Sequence, residues 1–186
     1  QWNYLITNSA FLCDGRLNVM NRYDKRHLVP FGEYVPLGCL LPWESFVPEG
    51  QRFFDPGLSH AAISMQAARL GMLICYEAVF PEIAVESVSD GAELLVNITN
   101  DSWYGPSSAP YQHLAISRMR SIETGRAQIR AANTGLSAII DARGRVLAET
   151  QLGLVPEDIK WPRRSDLKEP EFLVAELLLS DETTPY

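Results

Sequence analysis

Apolar and polar positions change period several times along this chain, and each change marks an element. Residues 4–12 (YLITNSAFL) carry β-type apolar residues and read as a strand. Asp14-Gly15 is a hairpin turn signal, and 16–20 read as a short return strand. Pro30, Pro36, Pro42, Pro48 and Pro56 then punctuate residues 21–60 at a spacing that forbids long helices and central strands. A shaped segment of that length inside a folded domain is usually there to build a site. Residues 62–66 and 70–75 are two further strand candidates, the second an apolar run ending on Cys75.

Pro81 opens a predicted helix that runs to Ser89, Asp90-Gly91 ends it, and 94–98 read as a buried strand. Strand, helix, strand is a βαβ unit. Ligands of open α/β sheets gather outside the carboxyl ends of the strands, so Cys75 and the Asn97–Tyr104 loop are expected to face one crevice. The strongest helix pattern covers 110–124. Its apolar side is read as Leu114, Ala115, Ile116, Met119 and Ile122, with Arg118, Arg120 and Glu123 polar, and Gly125 stops it. Short strands follow at 127–132, 136–140 and 145–149, separated by Asn133-Thr134-Gly135 and Arg143-Gly144. Residues 151–170 turn polar and aperiodic, an insertion-like loop, and Phe172–Leu179 reads as a closing strand.

These patterns predict an α/β domain over 1–186. Composition agrees: 186 residues bury a sizeable core, and 46% apolar with 21% charged residues is ordinary for a globular chain. A formal charge of −7 without any long basic run argues against a nucleic-acid partner. No window reaches the roughly 18 apolar residues of a spanning helix. The start, Gln1-Trp2-Asn3-Tyr4, enters a strand abruptly and without Met, which leads to the expectation of a fragment whose upstream sequence is missing.

Cys13, Cys39 and Cys75 stand far apart without a C-x-x-C pair, so neither a zinc site nor a disulfide framework is indicated; a bridge, if any, would join Cys13 to Cys39. His27, His60 and His113 share no ligand spacing, and no metal or other cofactor is expected. Cys75 has two readings. It is a small buried hydrophobe in LICYE, or it is a nucleophile whose thiolate is stabilised by a cation and by the amino-terminus of the helix that follows. With Glu77 close by, the second reading requires the cation. Lys25, in the proline-studded segment, is the candidate. A papain-like pairing of Cys75 with His113 is the alternative on the same thiol.

The run Tyr23-Asp24-Lys25-Arg26-His27-Leu28-Val29-Pro30-Phe31-Gly32-Glu33-Tyr34-Val35-Pro36 resembles the lysine motif of the nitrilase superfamily, in its apolipoprotein N-acyltransferase form. Leu73-Ile74-Cys75-Tyr76-Glu77-Ala78-Val79-Phe80-Pro81-Glu82 resembles that family's nucleophile elbow, and Asn97–Gly105 its next strand and loop. The likeness runs through residues 4–149, and 173–186 is similar to the stretch leading into the family's last membrane helix.

The resemblance implies an αββα nitrilase-type sandwich, present in part. It implies acyl transfer from a phospholipid donor, through a Cys75 thioester, to the amino-terminal diacylglyceryl-cysteine of an apolipoprotein. Lys25 would stabilise thiolate and oxyanion, with the Tyr76 amide as second donor. Glu33 would support the lysine, while Tyr76 and Glu77 would shape the site. The family's general-base glutamate lies further before the lysine motif than the 24 residues available here, so the fragment alone is expected to turn over poorly. Membrane attachment, at the periplasmic face of a bacterial inner membrane, would come from helices outside this chain. A soluble nitrilase-type amidase or carbamoylase and a non-catalytic remnant are the competing readings.

Overall fold

The computed structural model describes residues 4–36, 53–59, 61–105, 107–150, 173–177 and 179. They fall in two compact units, Gln1–Ser59 and His60–Tyr186.

In the first unit, β1 (Ser9–Cys13) pairs antiparallel with β2 (Val19–Asp24), Ser9 opposite Asp24 and Cys13 opposite Val19. The hairpin is expected, but its connection is longer than a two-residue turn and the return strand starts and ends later. The Asp14 carboxylate explains the shift: Oδ1 accepts from the amides of Arg16 and Asn18, and Oδ2 from the Asn18 side chain. This holds 14–18 as one loop, with Leu17 at φ 64°. After β2 the chain runs irregularly through residue 36, as the prolines require. Gly57 returns to donate to the Lys25 carbonyl at 2.7 Å, and a side chain at 57 would collide with the Asp24 backbone.

The second unit is a six-stranded sheet in the order β3-β4-β5-β6-β7-β8. Its strands are β3 (Ile63–Ser64), β4 (Arg69–Ile74), β5 (Leu94–Asn100), β6 (Ala127–Asn133), β7 (Ala138–Ile140) and β8 (Val146–Glu149). The three central strands are parallel and the outer pairings antiparallel. Crossover helices α1 (Pro81–Ser89) and α2 (Ala109–Thr124) join the parallel strands. Successive crossovers of one hand place both helices on one face of the sheet. Leu73 and Leu95 pack there against Ile83, Ala84 and Val88 of α1, and Ala138 and Ile140 against Leu114 of α2. The opposite face is apolar but open along β5 and β6, where Ile98 is 43% and Ile129 37% exposed. One helical layer over one sheet is half of the αββα sandwich expected from the sequence.

Local signals place the helix ends. Pro81 starts α1, whose missing N–H is no loss at the first turn. Gly91 at φ 94° and Gly125 at φ 64° sit just past the ends of α1 and α2, where a left-handed residue terminates the helix.

Two expectations need correction. The buried side of α2 is His113, Leu114, Ser117, Arg120, Ser121 and Thr124, whereas Ile116, Met119 and Ile122 are 38–45% exposed. The helix lies polar side down because the sheet beneath offers polar partners, the first being Gln128, whose Nε2 donates to Ser117 Oγ at 2.8 Å. The closing strand is also absent over 173–177, which make no ladder, and Val174 is 93% exposed; an apolar run forms a strand only where a neighbour takes up its backbone bonds. The polar 151–170 segment lies outside the described residues.

Candidate active site

Cys75 is the first residue after β4 and opens a 3-10 turn, Cys75–Val79. Its φ is +54°, a left-handed conformation rare for a residue with a side chain and costing on the order of 1–3 kcal/mol. Neighbouring groups hold the turn from three directions. Glu77, fully buried, folds back so that Oε2 accepts from the Ile74 amide at 2.7 Å. The Asn97 side chain, on β5, donates to the carbonyls of Leu73 at 2.9 Å and Cys75 at 3.4 Å. Arg120 of α2 donates from Nη1 to the Val79 carbonyl at 2.7 Å.

The sequence led us to expect that the helix opened by Pro81 would lend its amino-terminal amides to the Cys75 thiolate. That helix, α1, does begin at Pro81, but extended Phe80 and the 3-10 turn separate it from Cys75. Proline at its first position and the intervening 3-10 turn push the helix amides six residues beyond the sulfur, so the macrodipole of α1 does not start at the thiol.

Under the helices lies a polar cluster that the sequence did not reveal. Arg130, on β6, donates to Asn97 Oδ1, to Asp101 Oδ2 at 2.8 Å and, from Nε, to the Leu136 carbonyl at 3.1 Å. Asp101 Oδ1 accepts from Thr99 at 2.9 Å and lies 3.0 Å from His113 Nδ1, which is also 3.1 Å from Arg130 Nη2. All five side chains are buried. Burial works against the charge of Asp101, but the His113 hydrogen bond, the Arg130 guanidinium and the Thr99 hydroxyl outweigh it and hold the carboxyl below its ordinary range. Burial likewise draws Arg130 down against the pull of Asp101; a guanidinium so paired stays charged. Gly135 completes the cluster, since a side chain there would meet the Asp101 carboxylate.

Tyr104 lies at the same edge, its ring T-shaped on His113 at 5.9 Å. Burial, and after it the neighbouring acidic groups such as Asp101, push its phenol up. Tyr76 packs edge-on to Phe80 at 5.4 Å. Thus Cys75, Tyr104 and Asp101 share the carboxyl edge of the parallel strands, as the βαβ pattern predicts. His113 is engaged by Asp101 and Arg130, and no hydrogen bond joins it to Cys75 among the described residues, so the papain-like pairing finds no support. Asn97 is wholly buried and holds two carbonyls.

Lys25 and Glu33 belong to the first unit. The Lys25 side chain is completely buried directly after β2, and its Nζ donates to Glu33 Oε2 at 2.7 Å. The same oxygen accepts from the Val29 amide at 2.7 Å, and Oε1 accepts from Asn8 Nδ2 at 3.0 Å. Desolvation opposes the carboxylate, yet these bonds and the lysine's charge leave it below its ordinary range. The turn around Phe31, at φ 61°, brings Glu33 back toward Val29, whose carbonyl accepts from the Glu33 amide at 2.8 Å.

Cys13 is exposed and Cys75 half-buried, both as free thiols; Cys39 lies outside the described residues. Among the described residues, no three His, Cys, Asp or Glu side chains gather as metal ligands, and no helix is long and apolar enough to cross a membrane.

Comparison with known proteins supplies the lineage. The carbon-nitrogen hydrolase family model matches residues 2–157. An apolipoprotein N-acyltransferase of Geobacter metallireducens is 48% identical over 145 residues, covering 78% of this chain and 28% of that protein. Those of Rhodopseudomonas palustris and Rickettsia typhi are 46% and 38% identical, over 79% and 83% of this chain and 28% and 32% of theirs. The chain therefore spans roughly a third or less of the length of these relatives. Among solved structures, a carbon-nitrogen hydrolase from Helicobacter pylori G27 matches with TM-score 0.60 at 24% identity, over 78% of this chain and 53% of that one. An amidase from Nesterenkonia sp. AN1, with acrylamide added to its active-site cysteine, matches with TM-score 0.56 at 23% identity, over 77% and 52%. These two share the fold. With a matching family model over most of its length, the chain belongs to the carbon-nitrogen hydrolase family.

Proposed function

We propose that the protein transfers a fatty acyl chain from a phospholipid to the amino-terminal amine of a diacylated apolipoprotein, through a thioester on Cys75. The similarity over 78% of the chain to proteins named apolipoprotein N-acyltransferase carries this reading. The thiolate attacks the acyl ester carbonyl, the tetrahedral oxyanion collapses, and the lysophospholipid leaves with a proton. The acceptor amine then attacks the thioester, an amide forms, and the thiol is released.

The Lys25 ammonium is assigned to stabilising thiolate and oxyanion, with the Tyr76 amide as second donor. Glu33 is assigned to holding the ammonium in place and charged. Because the Glu33 carboxylate is already engaged by Lys25, Val29 and Asn8, it is a poor proton acceptor, and the role of general base is not assigned to it. Glu77 and Tyr76 are assigned to shaping the elbow; the Glu77 bond to the Ile74 amide supports the first. Location at the periplasmic face of the inner membrane follows from the substrates.

The test is to give the full-length protein phospholipid and look for an acyl mass increase at Cys75 that hydroxylamine reverses. Cys75→Ala should abolish both adduct and transfer. Full transfer by that variant would overturn the mechanism.

A further inference from the structure

Leu73, Asn97 and Arg130 are direct neighbours across β4, β5 and β6, forming one row on the helix-covered face of the sheet. The two ends of this row have different jobs to do. At the β4 end the chain must leave the strand and take the left-handed step at Cys75. The Asn97 amide donates to the carbonyls of Leu73 and Cys75. One freely rotating amide is a weak anchor, but the Asn97 oxygen is itself held by Arg130, so the side chain has one orientation only. Arg130 in turn is fixed on its two remaining sides by Asp101 and the Leu136 carbonyl.

We infer that Asn97 and Arg130 are positioning residues for the proposed nucleophile: together they orient the backbone on which the Cys75 sulfur is carried. The inference rests on the function proposed above. Three bonds in one plane, to an amide oxygen, a carboxylate and a carbonyl, use the fork of a guanidinium; an ammonium at position 130 keeps the charge and loses that geometry. A buried Asp101–Arg130 pair is a weak source of stability compared with apolar packing, so its evident use here is to fix direction. The chain of contacts also ties the Cys75 turn to the Asp101–Tyr104 turn, the other wall of the same strand edge.

The experiment compares Asn97→Ser and Arg130→Lys with the parent in the full-length protein. It measures kcat and KM for acyl transfer, melting temperature, and the alkylation rates of Cys75 and of exposed Cys13 by iodoacetamide, followed by peptide mass. A sulfur displaced by ångström-scale backbone drift should lower kcat and Cys75 alkylation by roughly tenfold to a hundredfold. KM and Cys13 alkylation should stay within about twofold, since neither depends on the geometry of the Cys75 turn. Parent-like kcat and Cys75 alkylation in a protein that still requires Cys75 would overturn this inference alone, whereas acyl transfer by Cys75→Ala would remove the function beneath it. A rise in KM without change in kcat, or equal loss of reactivity at both cysteines, would also overturn it. If Arg130→Lys melts below the assay temperature, Arg130→Met combined with Asp101→Asn removes both buried charges together and carries the same comparison.

Discussion

The Nζ of Lys25 sits 2.7 Å from Oε2 of Glu33 with no part of the lysine side chain exposed, so the charge of this ammonium is balanced inside the protein by a carboxylate eight positions along the chain. A buried lysine pays heavily for losing its counter-charge. Glu33→Gln should therefore destabilise the protein by about 3 kcal/mol or somewhat more, read as a lower urea midpoint at unchanged slope. Adding Lys25→Met to Glu33→Gln should recover part of that loss, because it removes the stranded charge. An unchanged midpoint in the single variant would show that the pair is not balanced as described.

Acid should release both internal carboxylates. Glu33 and Asp101 are held below their ordinary values, so each contributes stability that is present above the unfolded-state pKa, about 4, and is lost as pH falls through the lower folded-state value. Melting temperature should fall steadily below about pH 4. Asp101→Asn should start less stable and show a shallower acid limb, since one linked proton has been removed. Equal slopes in parent and variant between pH 5 and pH 2 would contradict the assignment for Asp101.

The inverted face of α2 gives a third expectation. Leu114 is 6% exposed and packed on Leu136 and Ala138, so Leu114→Ala should cost about 2–5 kcal/mol through lost contact and a residual cavity. Met119 is 44% exposed, and Met119→Ala should fall within about 0.5 kcal/mol of the parent. Calorimetric melting of the two variants separates them; a large loss from Met119→Ala would restore the apolar face that the sequence suggested.

Sequence alone determined what is local. Proline and glycine placed the ends of α1 and α2, β-type runs located β4 to β8 within a few residues, and the motifs around Lys25 and Cys75 indicated the family, because each rests on neighbours in the chain. Tertiary structure decided what depends on partners distant in sequence. Only strand register sets Leu73, Asn97 and Arg130 side by side, and only packing shows that α2 buries its polar side, since a buried serine or arginine is tolerable when a hydrogen-bonding partner lies beneath it. The run 173–177 is the converse: its apolar residues allowed a strand, and among the described residues no strand pairs with it. A one-dimensional pattern states which residues avoid water, while the surface that meets them is settled by long-range pairing.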